Sequence, residues 1–430
     1  MKVLKIKVIC IYVVTIVMIS SCSWKHSHKE VMSQFRAISS EKVMGNAARG
    51  IITPGLKVII NQTKIEDKAR LYLSDIVDTI CGIKLETTET SVIGTIDKIR
   101  IKNALIYVLD RYKTHLLKVF NIKGTYISTI GRNGNGPGEY VEPTDFYVDN
   151  KKIIIYDQFQ SKLLYFNLEG RFLYERSLPF TFLQFYQFSQ NQYLMCGLDA
   201  DNYHLSNLLN YSIWNCDSVF QVNHFGMYRK KDAYINILPK NLLNEFCGKL
   251  YYHEPRRDTI YSVDSAFNVR FDYVIDFGKY TPPKSLFLIE NKKEYIHNNQ
   301  YAFGEDFAIT PHYLYYNFSY KRTLYHLFYR LHDSKIYYGN NVVNDVNYIF
   351  PFENILSANG DTLIGYSQVM PIHDFYQRVP QDEWLKMQNH HGQILLNEGK
   401  DVRNFCKDLR DDDNPIILLY RLKEGNANEI

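Results

Sequence analysis

Two stretches of this chain carry the same order of strand and turn residues at a fixed offset. That repeat limits the fold more than any other feature. The first copy runs Ile106–Asp110 (IYVLD), Leu117–Asn121 (LKVFN), Gly124 and Tyr126–Ile130. The second runs Ile153–Asp157 (IIIYD), Leu163–Asn167 (LLYFN), Gly170 and Phe172–Glu175. Asp110 and Asp157 are 47 residues apart; the two asparagines, and the two glycines, are 46 apart. A further strand precedes each copy, at Ile96–Ile101 and Asp145–Val148. Four short antiparallel strands in a period of about 45 residues are the signature of a propeller blade. The run Ser128–Tyr140, with Gly131, Gly134, Gly136, Gly138 and Pro137, reads as the connector between the two units.

Less regular copies follow. Phe182–Ser189, Tyr193–Gly197, Asn210–Asn215 and Val219–Phe225 make a third. Asn244–Tyr252, Asp258–Asp264 and Val269–Phe277 make a fourth; Phe303–Ile309, Tyr313–Phe318, Thr323–Leu331 and Lys335–Gly339 make a fifth. Phe352–Leu356 and Asp361–Val369 begin a sixth, interrupted at about 371–412 by helix-like patterns at Gln381–Leu396 and Val402–Leu409. Pro415–Lys423 resumes it as a strand. Near the start, Lys57–Gln62 is a short strand, and Leu73–Ile80 reads as a helical turn with Ser74 or Asp75 as cap. Ile83–Thr87 (IKLET) is a strand without a blade. Pairing it with Pro415–Lys423 closes the ring and removes the open edges. The expected fold is all-β: a six-bladed propeller over 57–430, closed by an N-terminal strand, with a helical insert in the last blade. Five or seven blades, or paired β-sandwiches, are the alternatives.

Residues 1–21 have the pattern of a secretion leader: Lys2, Lys5 and Lys7, then an apolar run, Val8–Ile19, too short to span comfortably. Ile19–Ser20–Ser21–Cys22 resembles a bacterial lipobox, which makes Cys22 the expected lipidation site and 22–56 a polar tether to the membrane. The formal net charge of +4 includes the three leader lysines, so the body is near neutral and a nucleic-acid partner is not expected. Aromatic residues make up 15% of the chain, which suits strands that pack on both faces. The remaining cysteines are odd in number and lack a CxxC spacing. Cys196 and Cys216 are open to bridging in an oxidising compartment, with buried thiols the alternative.

The segments LSDIVDTI, ETTETSVIGTIDKI, GRNGNGPGEY with PTDF, DTIYSVD and NPIILLYRLK occur in an order that resembles a six-bladed propeller lipoprotein family of Gram-negative bacteria, distantly similar to NHL-repeat propellers. The resemblance spans roughly Lys57–Lys423. It implies a lipid-anchored propeller of the cell envelope, expected at the outer membrane, and supplies no catalytic residues. Ser23–Trp24–Lys25–His26 lacks the acidic residues that often follow the cysteine of surface-exported lipoproteins, so the membrane face stays open.

The glycine run is followed by Pro143 and a strand rather than a helix, and no GK[ST] is present, which argues against a phosphate cradle. Arg132, Glu139 and Tyr140 can reach ligand at the propeller mouth, or Arg132 and Glu139 can brace the loop. Asp97, Asp145, Glu245, Glu305, Asp306 and Glu353 fall on or near innermost strands, where they can line the channel, hold an ion such as calcium, or act as acid and base. His253, Arg256 and Arg257 form a cationic loop suited to an anionic sugar. His390–His391, if helical, point to different faces and chelate poorly. No GxSxG or HExxH occurs. The expected function is a non-catalytic envelope binding or scaffolding lipoprotein, monomeric and without cofactor, that recognises a glycan or an envelope protein at the mouth. Its rival is a metal-dependent lyase or lactonase that uses channel carboxylates.

Overall fold

A computed structural model describes residues 35–424 apart from 199, 201, 229–239, 288–290, 381–382, 384–385 and 396–402. Residues 1–34, with the leader and Cys22, lie outside the described residues. Six small antiparallel sheets make six blades. Blade one is Lys98–Lys102, Leu105–Asp110, Leu116–Asn121 and Tyr126–Ile130. Blade two is Pro143–Val148, Lys152–Asp157, Lys162–Asn167 and Phe172–Ser177. Blades three and four have innermost strands Gln184–Ser189 and Leu243–Phe246; blades five and six have Ala302–Ile309 and Ser357–Asn359. Each innermost strand touches the next, and that of blade six touches that of blade one, so the ring is closed.

The repeated polar residues explain why the repeat was visible. Asp110 accepts hydrogen bonds from Gly94 N (2.7 Å), Thr95 Oγ1 (2.8 Å) and Lys113 N (3.0 Å). Asp157 does the same with Val141 N (2.7 Å) and Gln160 N (3.1 Å). Each aspartate thus ties the chain entering its blade to the turn between the second and third strands. At the opposite end, Asn121 Oδ1 accepts from Thr125 N (3.0 Å) and Asn167 Oδ1 from Arg171 N (2.7 Å), closing the last hairpin. The core is divided in the same way. Six apolar clusters each fill one seam between neighbouring blades, and Tyr107, Tyr156, Trp214, Tyr252 and Tyr316 are fully buried among them. A blade whose two faces both bury is why aromatic and β-branched residues run continuously along its strands.

Ring closure follows the expected route but uses the segment just before the expected one. Val77–Ile83 is the outermost strand of blade six and pairs antiparallel with Ile416–Leu422, Ile83 opposite Ile417. Only Leu73–Asp75 is helical, a single 3-10 turn with no side-chain cap. Ser74 instead bonds Asp345, through its N (2.9 Å) and its Oγ (2.7 Å). IKLET leaves the sheet and bridges to blade one, where Glu86 N donates to Gly124 O at 2.8 Å.

The segment expected as a free tether is packed over its described part. Phe35, Val43 and Met44 are buried, because apolar seams of blade three are open to them. Ala48–Arg49 then pairs parallel with the outer strand of blade three, Val222–Tyr228. Ile52–Asn61 pairs parallel with that of blade four, Val269–Asp276. Arg70–Tyr72 pairs with Asn341–Val343 beyond blade five. The N-terminal chain is a belt that visits blades three to six in order and covers their outer edges.

The blade-six insert also differs. Its helix is Val369–Arg378, whereas Met387–Leu395, expected within a helix, is a turn with a bridge between Gln388 and Ile394. Residues 403–406 are helical as expected. Cys196 and Cys216 lie on adjacent strands but out of register, opposite Ile213 and Tyr193, and remain separate buried thiols.

Candidate functional site

Strand direction alternates outward through each blade, so the innermost strands begin on the same face that carries the inter-blade connectors and the turns between second and third strands. A cavity of about 230 Å³ opens on this face, lined by Asp97, Lys98, Arg111, Tyr112, Thr144, Asp145, Gln184 and Lys240 among others. These residues come from the entry ends of blades one to four. A larger hollow of about 310 Å³, between Lys84–Thr87, Lys123–Thr125 and Asp413–Asn414, lies at the outer seam of blades six and one.

The mouth is organised by one ion pair. Lys98 Nζ donates to Asp145 Oδ1 and to Phe146 O (2.9 Å), while Asp145 Oδ2 accepts from Phe185 N (3.0 Å). Three blades are thereby joined through one carboxylate that is fully buried. Burial pushes the Lys98 ammonium down to about 8, against the opposing pull of Asp145. Beside it, Asp97 Oδ2 accepts from Arg111 N (2.7 Å), and burial raises its carboxyl. Arg111 reaches on to Glu142 (2.9 Å) and Gln158 (3.2 Å). Tyr112, 43% exposed, stands at the rim next to Arg111.

Two residues further along each strand, on the same strand faces, Arg100, Tyr147 and Tyr186 continue the lining. Tyr147 and Tyr186 meet edge to face at 5.5 Å, and burial, with the Glu245 carboxylate nearby, raises the Tyr186 hydroxyl. Across the mouth, Lys240 Nζ donates to Asn354 Oδ1 (3.3 Å) and lies 6.0 Å from the Tyr366 ring. Asp306, at a bulge in the inner strand of blade five, is pushed up to about 7 by burial and by the neighbouring Glu305, with Lys240 opposing. The mouth therefore presents hydrogen-bonding groups of both signs around an aromatic rim, with two proton-holding groups near neutrality.

The expected site residues divide. Asp145 is in the mouth, although sealed in its ion pair. Arg132 bonds Glu139 at 2.6 Å and Glu139 also accepts from Gly136 N (2.8 Å), so this pair braces the connector. Gly131 is needed there: its φ is +69°, and a Cβ would lie 2.6 Å from the Tyr140 ring. Tyr140 is fully buried; its hydroxyl donates to Ile130 O (2.6 Å) and accepts from Leu117 N (3.3 Å). It packs in the core seam between blades one and two. Arg256 pairs with Glu305 at 2.5 Å and donates to Ser319 Oγ at 2.8 Å, holding the blade-four turn on blade five. His253 is buried, with Nδ1 on Thr259 O (3.0 Å), so it takes no part in a cationic surface. Lys98, Arg111, Gln184 and Lys240 were not singled out from sequence. One signal was available: Lys98 and Asp145 are 47 residues apart, one repeat, so opposite charges occupy equivalent positions of adjacent blades.

A family model described as "Domain of unknown function (DUF4934)" matches residues 56–421. The chain belongs to the DUF4934 family. The matched span holds all six blades together with most of the belt strand on blade four, so the family unit is the closed ring itself. Among solved structures, a "Putative exported protein" from Bacteroides fragilis NCTC 9343 is similar over 85% of this chain and 100% of its own, at 21% identity and a TM-score of 0.68, and so shares the fold. A member of the DUF4221 family from Bacteroides vulgatus ATCC 8482 aligns over 81% and 98%, at 10% identity and a TM-score of 0.48. The virginiamycin B lyase of Staphylococcus aureus aligns over 67% and 81%, at 9% identity and a TM-score of 0.37. No curated protein matches this DUF4934 chain.

Proposed function

We propose that this propeller is a non-catalytic binding module of the cell envelope that receives a glycan at the channel mouth. The carrying observation is the cavity of about 230 Å³ whose wall combines Lys98, Asp145, Arg111, Gln184 and Lys240 with Tyr112 at the rim. Sugars present hydroxyls in both donor and acceptor roles and an apolar ring face, and a wall of paired charges beside an exposed aromatic ring answers both. The residues are pre-set by bonds to one another, which limits the ordering cost of binding. On this reading Cys22 carries lipid and holds the protein at the membrane, most simply the outer one. The leader pattern and the exported description of the Bacteroides fragilis relative in fold support that location.

A glycan array probed with the chain from Ser23 onward tests the binding reading. Saturable binding to one sugar class, lost in Tyr112→Ala and Lys240→Ala, is expected. Binding indifferent to both changes, or capture of an envelope protein through the mouth with no sugar bound, contradicts it. Labelling with a clickable fatty acid, abolished by Cys22→Ala, tests the anchor.

A second reading rests on Asp306, held at about 7, and Lys98, at about 8. Groups poised near neutrality can transfer protons, as a lyase or lactonase requires. Turnover of a lactone or glycan panel that disappears in Asp306→Asn would favour this enzyme over the binder.

A further inference from the structure

The turn of the blade-six insert gathers two adjacent imidazoles on one side. Asn389 Oδ1 accepts from His391 N (3.0 Å) and Gln393 N (2.9 Å), and Gly392 takes a φ of +79°. The tight bend brings the His390 and His391 rings to 3.8 Å between centroids. In a helix these rings would point about 100° apart; here both reach Asp75, in the 3-10 turn that precedes the closing strand. His390 Nε2 is 3.2 Å and His391 Nε2 3.3 Å from the same Asp75 Oδ1. All three ligand atoms lie within 4.8 Å of one another.

His390 is fixed from behind. Its Nδ1 is 2.8 Å from Asp345 Oδ2, and its backbone N donates to that same oxygen at 2.9 Å. Asp345 is buried and also holds Ser74, while Tyr72 stacks on the His390 ring at 4.3 Å. The Nδ1 edge of the ring thus faces Asp345 and, at 2.9 Å, Ser74 Oγ, which leaves the Nε2 edge facing Asp75. Zinc bound at about 2.0–2.2 Å to nitrogen and oxygen ligands sets tetrahedral ligands about 3.3 Å apart, which is the separation found from Asp75 Oδ1 to each imidazole. A carboxylate behind a ligating histidine is the usual outer support of such a site.

We propose that Asp75, His390 and His391 bind a transition-metal dication, zinc being the reference ion, with Asp345 as the positioning residue for His390. Two imidazoles and one carboxylate suit zinc, nickel or copper and disfavour calcium and magnesium, which take oxygen ligands. Three protein ligands leave a fourth position for water or an incoming ligand. The ion fastens the insert to the head of the strand that closes the ring. It lies outside the mouth cavity and does not depend on what the mouth binds.

Zinc titration of chelator-stripped protein, carrying an affinity tag free of histidine, tests the site by calorimetry and thermal melting. One equivalent of Zn²⁺ with a melting point raised by roughly several degrees is expected, with no response to Ca²⁺ or Mg²⁺. His391→Ala and Asp75→Asn should each weaken binding at least tenfold, and Asp345→Asn roughly 10–100-fold, with the metal-free fold intact by circular dichroism. Absence of stoichiometric zinc binding overturns the proposal. So does binding that survives all three substitutions, which would place the ion elsewhere, for instance on the exposed Cys81 or Cys247.

Discussion

Two buried histidines weaken the fold in acid. Burial pushes His253 and His326 down to about 4, so both are neutral in the fold. His326 Nδ1 lies 2.9 Å from the Tyr315 hydroxyl, and His253 Nε2 has no hydrogen-bond partner among the described residues. An unfolded histidine titrates near 6.5, so between pH 6.5 and 4 the unfolded chain holds more protons. The stability that these histidines contribute is therefore full above pH 6.5 and falls as pH drops, by up to on the order of 3 kcal/mol per histidine. Asp306, pushed up to about 7 in the fold, acts in the opposite sense over the same range, so the histidine part is read as a difference: from pH 7 to 4.5 the urea midpoint of His326→Gln should lose less than that of the unchanged chain, and equal pH slopes would remove the argument. The Lys98–Asp145 pair makes a second expectation at this scale. Lys98→Ala strands a buried carboxylate and should cost about 3–5 kcal/mol in denaturant unfolding, with part recovered when Asp145→Asn is added. Single residues were also where sequence misled most. Tyr140 looked like a mouth residue, but a blade buries both faces, and nothing in the local pattern says which ring turns inward.

Elements were legible where side chains repeat a job. The aspartate that ties each entry and the asparagine that closes each last hairpin made blades one and two plain. The closing strand was hidden because Leu73, Ile76, Val77, Ile80 and Ile83, all buried, recur at helical spacing. They do so because a short 3-10 turn feeds directly into a strand. The belt strand Ile52–Asn61 was cut short because Pro54 and Gly55 interrupt it at a register shift, where Leu56 N bonds Asp272. The imidazole pair was discounted for the same kind of reason: a helix was read where a turn exists. Glycine changes test the seam between closing strand and blade one. Gly124 has φ +87°, and a Cβ there would lie 1.8 Å from Lys84 O. Gly248 has φ +71° with nothing within 4 Å. Gly248→Ala should cost only the left-handed penalty, about 1–2 kcal/mol, and Gly124→Ala clearly more. Equal melting points for the two variants would mean that the seam is not tight.

At the scale of the whole molecule, the mouth exists only because the ring is shut, and the ring is shut by residues near position 80 lying against residues near position 420. Each innermost strand contributes one segment of the channel wall, so an open ring would separate blade six from blade one and part Lys240 from the Asn354 and Tyr366 side of the mouth. Cys81 lies opposite Leu419 in the closing pair. Opposed residues on antiparallel strands have Cα atoms about 4.5–5.5 Å apart, within disulfide reach. The direct measurement is oxidation of a Leu419→Cys variant carrying Cys247→Ser, read by mass spectrometry and thermal melting. A complete intramolecular disulfide to Cys81, with a higher melting point than the reduced form, is the predicted result. Thiols that stay free under oxidation, or that link only between molecules, would contradict the closed ring and the mouth built on it.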